Sequence, residues 1–281
     1  METNILVVGG AGGVGAAVVQ QLVAQGHRVR VSSRNPVGRV WPEGVEAVVA
    51  DLLQPASLRA AAEGIEAVFL YVQGRAEEPV QHLRAAGVKR VTVLSTIDAA
   101  NDSPAAVYNR RRHLEWEDGV AQSGLAFTCL RPGAFASNAL RFFMPHLSGG
   151  NVVRLPFPDS KQTPIDTRDI ARVAEVALTS DRLNGQRPVL TGPRSLSQRE
   201  QVAILGEVLG RTLQIETVSV EAARADMSAG VPPAYIDLLI GQWEEETHQP
   251  SWVTAEVERI TGRPATPYAE ALRHVLAERK S

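Results

Sequence analysis

Sulfur is scarce in these 281 residues, with one cysteine, Cys129, and three methionines. A lone cysteine closes no internal disulfide. The six histidines show no HExxH or comparable ligand spacing, so the sequence offers no metal framework. An excess of charge of one sign is missing too. The formal net charge is −2, which gives no reason to expect nucleic acid or an anionic membrane as a partner. No apolar run is long enough to span a bilayer and no signal peptide is recognised, so a reducing cytoplasm is the expected setting. Aromatic residues make up only 5% of the chain. The remainder, 44% hydrophobic and 21% charged, is an ordinary globular composition in a chain long enough to bury a sizeable core.

Glycine, by contrast, is concentrated where it carries chemistry. The N-terminal stretch reads Asn4-Ile5-Leu6-Val7-Val8-Gly9-Gly10-Ala11-Gly12-Gly13-Val14-Gly15. Ile5 to Val8 have the form of a strand buried on both faces, and Ala16 to Gln25 reads as a helix. A strand, a tight glycine turn and a helix N-terminus together make an anion site. Backbone N–H groups point at a pyrophosphate, and no side chain blocks its approach. A second cue lies nineteen residues past Gly15, where the next strand, His27 to Ser32, leads into Ser33-Arg34. An NAD site places Asp or Glu there, on the ribose 2′-hydroxyl. A carboxylate would repel a 2′-phosphate, whereas the Arg34 guanidinium pairs with one, so the expected cofactor is NADP(H).

Strand and helix then alternate. Strands are predicted at Val45–Ala50, Ala67–Val72, Arg90–Ser95 and Leu125–Leu130. Helices are predicted from Pro55 and Ser57 to Glu63, at Glu77–Ala86 and at Pro104–Ser123. This is the sequence form of an α/β doubly wound parallel sheet, a Rossmann fold, over residues 1–155. Residues 156–281 read as a smaller, mostly helical C-terminal region that roofs the strand ends and binds the substrate. There Asp166 or Thr167 caps a helix, Val189–Gly192 is a short strand and Ser197 caps Gln198–Leu209. A strand is predicted at Thr212–Val218, with helices at Glu221–Met227, Pro233–Glu246, Thr254–Thr261 and Pro267–Glu278.

The glycine loop, Asp51-Leu52 after the third strand, Val93-Leu94-Ser95-Thr96, Ser123-Gly124-Leu125…Leu130-Arg131-Pro132-Gly133…Asn138 and Pro164-Ile165-Asp166…Asp169-Ile170-Ala171 together resemble the NmrA-like, atypical branch of the short-chain dehydrogenase/reductase superfamily. The resemblance covers nearly the whole chain. It implies that Asp51 and Leu52 flank the adenine. It also implies that Tyr71, Val72 and Gln73, then Ser95, and then Pro132, Gly133, Ala134 and Phe135 line the nicotinamide ribose and ring. Ketone-reducing members of the superfamily carry Tyr-x-x-x-Lys on the long helix. Aligning the family's helix glutamate with Glu117 puts His113 at the lysine position and Asn109 at the tyrosine position. Tyr108 is then one residue out of register, turned about 100° around the helix. A Tyr108/Arg112 pair keeps the i, i+4 spacing, but arginine tunes a tyrosine poorly. The catalytic candidates are therefore Ser95 and Thr96, which orient a carbonyl or merely cap the strand, together with Tyr108 and His113. His113 is read as a ribose ligand, as an acid of near-neutral pKa, or as a plain helix-face histidine.

A reductase without the tyrosine needs an acceptor that stabilises its own developing charge. The expected substrate is thus a planar aromatic ketone or quinone, polyketide-like and of the kind met in secondary metabolism. Its expected pocket is drawn from Phe135, Asn138, Phe142, Ile165, Tyr235 and Trp243, with Phe143, Met144 and Met227 as further candidates. Two rival readings remain at this level. One is a non-catalytic NADP(H) sensor that binds a protein partner, and the other is a sugar-nucleotide epimerase.

Overall fold

The protein is described by a computed structural model covering residues 3–35, 39–227, 232–248 and 251–279, with the side chain of Tyr108 outside that description. The first half contains β1 (Asn4–Val8), α1 (Gly13–Ala24), β2 (Arg28–Ser33), β3 (Glu46–Val49), α2 (Ser57–Ala61), β4 (Ala67–Tyr71), α3 (Glu77–Ala85), β5 (Arg90–Leu94), α4 (Val107–Ala121) and β6 (Ala126–Pro132). The second half adds α5 (Asn138–Phe142), β7 (Val152–Leu155), β8 (Lys161–Gln162), α6 (Thr167–Thr179), β9 (Val189–Leu190) and β10 (Leu196–Ser197). It continues with α7 (Gln198–Leu209), β11 (Gln214–Thr217), α8 (Val220–Met227), α9 (Pro233–His248), α10 (Glu256–Thr261) and α11 (Tyr268–Glu278).

The apolar runs of β1, β4, β5 and β6 form the centre of a parallel sheet, because only strands covered on both faces tolerate such continuous hydrophobicity. Among the described residues this sheet has seven strands in the order β3-β2-β1-β4-β5-β6-β9. The order reverses between β1 and β4, which opens a crevice at the carboxyl ends of these two strands. One face buries Val18, Leu22, Phe69 and Leu130 with Ile170 and Val173 of α6 and Ile260 of α10. The other buries Leu6, Leu70, Leu83, Val93 and Cys129 with Trp116 of α4.

The doubly wound fold is as the sequence predicts, but a boundary at residue 155 cuts across the packing. The chain returns to the sheet after that point, with α6 and α10 in the first core and β9 parallel to β6. The reason is topological. A seventh strand and its covering helices shield the β6 edge, which would otherwise be bare. What stands apart is a smaller assembly of α5, α7, α11 and the β7–β11 pair, with α9 beside it. Its short elements α5, β7, β8 and β10 are absent from the sequence reading, since two to five residues carry too little periodicity to register.

Both predicted caps form. Ser197 and Glu200 close a reciprocal capping box on α7, and Asp166 accepts from Arg168 N at 2.9 Å to cap α6. The second oxygen of Asp166 meets His274 Nδ1 of α11 at 2.7 Å, which ties the later family motif to the C-terminal helix.

Candidate functional site

The glycine loop is shaped by three contacts. Gly9 sits at φ +76°, and a Cβ there would lie 2.6 Å from Cε1 of Tyr71 at the end of β4. A Cβ on Gly10 would stand 2.0 Å from Val31 Cγ2, and one on Gly15 would stand 2.3 Å from the Gly9 carbonyl oxygen. Packing therefore demands glycine at these positions. Gly12 and Gly13 differ, since the nearest atom to a Gly12 Cβ is 3.5 Å away and nothing lies within 4 Å of one on Gly13. These two, with exposed Ala11, leave an open approach to the N-terminus of α1. No side chain caps that terminus, and no acidic residue occupies its first turn. Uncapped N–H groups, a helix dipole and open space fit a dinucleotide pyrophosphate. Val14 is buried under the loop.

The rim of this cradle is electrostatically linked. Burial pushes the Tyr71 hydroxyl up in pKa, Asp51 adds to the rise and Arg34 opposes it. Tyr71 donates to Gln73 Oε1 at 2.6 Å, and Val72 packs beside it on the second core. Asp51 Oδ1 accepts from Leu53 N at 3.0 Å, and Ser33 Oγ accepts from Asn35 N. Arg34 is exposed and forms no ion pair among the described residues. The adenine reading needs one correction. The Leu52 side chain is only 2% exposed and belongs to the core, whereas Leu53 beside it is 58% exposed and reaches toward Gly74. Leu53 is the apolar side chain available at the rim, and only the turn geometry reveals which leucine faces out.

Further along the sheet, the expectations for catalysis change. Ser95 is buried, its N–H bonds Leu130 O at 2.7 Å and its hydroxyl donates to Glu117 Oε1 at 2.6 Å. It is therefore not free to orient a substrate. Glu117 is fully buried and also accepts from Arg131 (2.9 and 2.6 Å) and from Arg187 (2.9 Å). Thr96 caps the turn Ile97–Ala100, accepting from Asp98 N. His113 Nδ1 donates to Asn109 O at 2.8 Å, and burial lowers its pKa. It is accordingly neutral near pH 7 with its proton on Nδ1, which leaves Nε2 as an acceptor and removes the acid reading. The Tyr108 reading falls on a side chain outside the described residues.

The expected aromatic pocket is mostly core. Ile165 is fully buried and bridged to Phe135, and Trp243 is 4% exposed in edge-to-face contact with Phe142 at 5.5 Å. Phe135 packs on the first core and Phe143 in the third. Met144 flanks the third, and Met227 flanks the cluster around Trp243. Tyr235 lies under the Arg141 guanidinium at 5.2 Å, and half-buried Asn138 opens α5. None of these residues lines the cavity at the strand ends. Composition names apolar residues but does not say which way they face, so core and pocket wall look alike in sequence.

That cavity, of about 160 Å³, is instead polar. Its floor is Ile97, Asp98 and Asn101 beyond β5 and Gly133 and Ala134 beyond β6, and Pro132 is buried beside them. Its roof comes from Gln162 and Thr163 near β8 and from Gln242, Glu245 and Glu246 on α9, with Trp252 at 46% exposure nearby. Asp98 binds both halves, since its carboxylate accepts from Asn109 of α4 at 3.0 Å and from Gln242 of α9 at 3.1 Å. Burial raises its pKa. Gly133 and Ala134 were expected here, but Asp98, Gln162, Thr163, Gln242, Glu245 and Glu246 were missed because they come from three distant stretches of the chain; only on α9 does the i, i+3, i+4 spacing of Gln242, Glu245 and Glu246 mark a single face.

Among the described residues, no group of three or more His, Cys, Asp or Glu side chains is placed to hold a metal, and no helix is long and apolar enough to cross a membrane. The NAD(P)H-binding family model matches residues 9–181. The (4-alkanoyl-5-oxo-2,5-dihydrofuran-3-yl)methyl phosphate reductase of Streptomyces griseus is 35% identical over 272 residues, covering 95% of each chain. The NAD(P)H azoreductase of Xenophilus azovorans is 32% identical over 277 residues, covering 95% of this chain and 96% of its own. The triphenylmethane reductase of Citrobacter sp., solved with NADP(H), superposes with a TM-score of 0.80 at 21% identity, over 97% of this chain and 99% of its own. With the open glycine cradle at the sheet's switch point, these matches establish that the chain belongs to the NAD(P)H-binding, NmrA-like atypical branch of the short-chain dehydrogenases/reductases.

Proposed function

We propose that the protein is an NADPH-dependent reductase of a small planar acceptor, an aromatic ketone or a quinone, bound in the polar cavity beyond β5 and β6. The observation that carries this reading is the cavity's position. It lies at the carboxyl ends of strands in the same sheet whose switch point forms the glycine cradle, where ligands of open α/β sheets gather. The relatives support it in kind, being named as reductases of an oxo-dihydrofuran phosphate and of azo compounds.

NADPH supplies a hydride at its nicotinamide ring when bound. In this reading the uncapped N–H groups at Gly13 to Gly15 hold the pyrophosphate, Arg34 pairs with the 2′-phosphate, and Asp51 and Leu53 flank the adenine. Tyr71 and Gln73 line the path of the cofactor. His113 Nε2 accepts from a ribose hydroxyl, and the Pro132–Phe135 turn holds the nicotinamide against the cavity floor. The roof from α9 covers the acceptor and sets its plane, and the mouth beside Trp252 stays open to solvent.

The test is NADPH oxidation, followed at its absorbance band, with a panel of quinones and aromatic ketones. Turnover on members of the panel supports the reading. Tight NADPH binding without turnover on any of them favours a cofactor sensor instead. The epimerase reading is set aside on the alignment that puts Asn109 and His113 at the tyrosine and lysine positions of α4.

A further inference from the structure

We propose that Glu246 is the proton donor of the reduction, its carboxyl O–H facing the acceptor oxygen across the cavity from Asp98. The inference rests on the reductase reading and deepens it, placing the acid on α9 rather than on α4.

Three carboxyls line the cavity, and their hydrogen bonds separate them. Glu245 is tied down, accepting from Ala105 N at 3.1 Å and from the Ser103 hydroxyl at the start of α4. Both oxygens of Asp98 are engaged by amide donors, Asn109 on one and Gln242 on the other. Amide N–H donors favour a carboxylate and oppose the rise that burial gives the Asp98 pKa, and they leave neither of its oxygens free to face an acceptor. Glu246 differs, since only Oε2 takes a hydrogen bond within normal geometry among the described residues, from Ser160 Oγ at 3.1 Å, with the Gln162 side chain beside the carboxyl.

The groups that face Glu246 explain its protonation. Asp98 comes from the turn after β5 and Glu245 from its own helix, and both repel a negative charge there. Lys161 lines the cavity from β8, and His113, behind Asp98 on α4, is neutral. Burial is the largest influence, and together these push the Glu246 carboxyl up to about 8. A carboxyl that keeps its proton at pH 7 and faces the cavity is what general acid catalysis requires.

The step balances. As the hydride adds to the conjugated carbonyl, the π electron pair moves onto the carbonyl oxygen. An O–H bond forms there as the Glu246 O–H bond breaks. Solvent reaching the mouth beside Ser251 and Trp252 returns a proton to the carboxylate.

The experiment compares wild type, Glu246→Gln and Ser160→Ala, each checked by circular dichroism and by NADPH affinity. The glutamine keeps an acceptor for Ser160 but has no acid to give. Ser160→Ala removes the hydrogen bond and leaves the acid. The expected result is a kcat on an aromatic ketone about 100- to 10,000-fold lower for Glu246→Gln, with NADPH affinity intact. A smaller loss is expected on 1,4-naphthoquinone, which spreads the charge itself. Ser160→Ala should lose far less than Glu246→Gln, with its alkaline limb moved to higher pH because the lost bond favoured the carboxylate. In wild type, kcat should fall tenfold per unit above about pH 8, and an infrared carboxyl C=O band of the cofactor-free protein should titrate there and vanish in Glu246→Gln.

If Glu246→Gln keeps wild-type kcat and pH profile, or Ser160→Ala loses as much as Glu246→Gln, the proton-donor role is overturned while the reductase stands. If wild type binds NADPH and reduces nothing, the reductase reading falls and this inference with it.

Discussion

The hydroxyl of Ser95 donates to Glu117 at 2.6 Å, joining the end of β5 to a fully buried carboxylate that two arginines already neutralise. Ser95→Ala should therefore leave kcat unchanged and cost about 1 kcal/mol of stability. Glu117→Gln strips Arg131 and Arg187 of their counter-charge and should cost about 3–5 kcal/mol. Urea denaturation of the two variants beside wild type checks both. A large kcat loss in a stable Ser95→Ala protein would return the serine to the catalytic group.

Gly12 and Gly15 should separate binding from folding. A Gly12 Cβ meets nothing closer than 3.5 Å, so Gly12→Ala should fold normally while its methyl group blocks the pyrophosphate and weakens NADPH binding at least tenfold. A Gly15 Cβ would stand 2.3 Å from a backbone oxygen, so Gly15→Ala should lower Tm even without cofactor. Fluorescence titration and thermal melts on the same samples decide it.

Arg34 is the one discriminator between NADPH and NADH that the sequence offers. A guanidinium–phosphate contact is worth about 1.5–3 kcal/mol, so Arg34→Ala should weaken NADPH binding about 10- to 100-fold and leave NADH unaffected. Equal weakening of both cofactors would place Arg34 elsewhere on the dinucleotide.

Glu246 also leaves a signature in stability. Its folded pKa, about 8, lies above the ordinary 4.5, so its favourable contribution is complete below about pH 4.5 and is lost as pH rises through 8. Burial raises Asp98 in the same direction. Glu246→Gln never ionises, so its Tm relative to wild type should climb between about pH 5 and 9, by about 2–4 °C for each kcal/mol. A pH-independent difference would contradict the raised carboxyl.

Local chemistry is what the sequence could reveal by itself. The parallel alternation, the glycine cradle with its cofactor class, the cation after β2 and the caps Asp166 and Ser197 each rest on contiguous residues. Backbone sterics and short-range hydrogen bonds decide such features before the chain folds. Leu52 and Leu53 mark the limit, since adjacent leucines have the same chemistry and only the turn at Asp51 sends one to the core and the other to the rim.

Everything at the reacting end was decided by tertiary packing. Ser95 lost its expected role to a carboxylate twenty-two residues away, and Ile165 and Trp243 went into cores that periodicity could not tell from a pocket wall. The sheet reclaimed α6 and β9 from the C-terminal region to cover an edge that no local pattern announces. The polar cavity joins Asp98 to α9 through Gln242, a separation of 144 residues. A site assembled at that range depends on which surfaces bury together, and burial also raises its acids, so its chemistry exists only once the chain has closed around it.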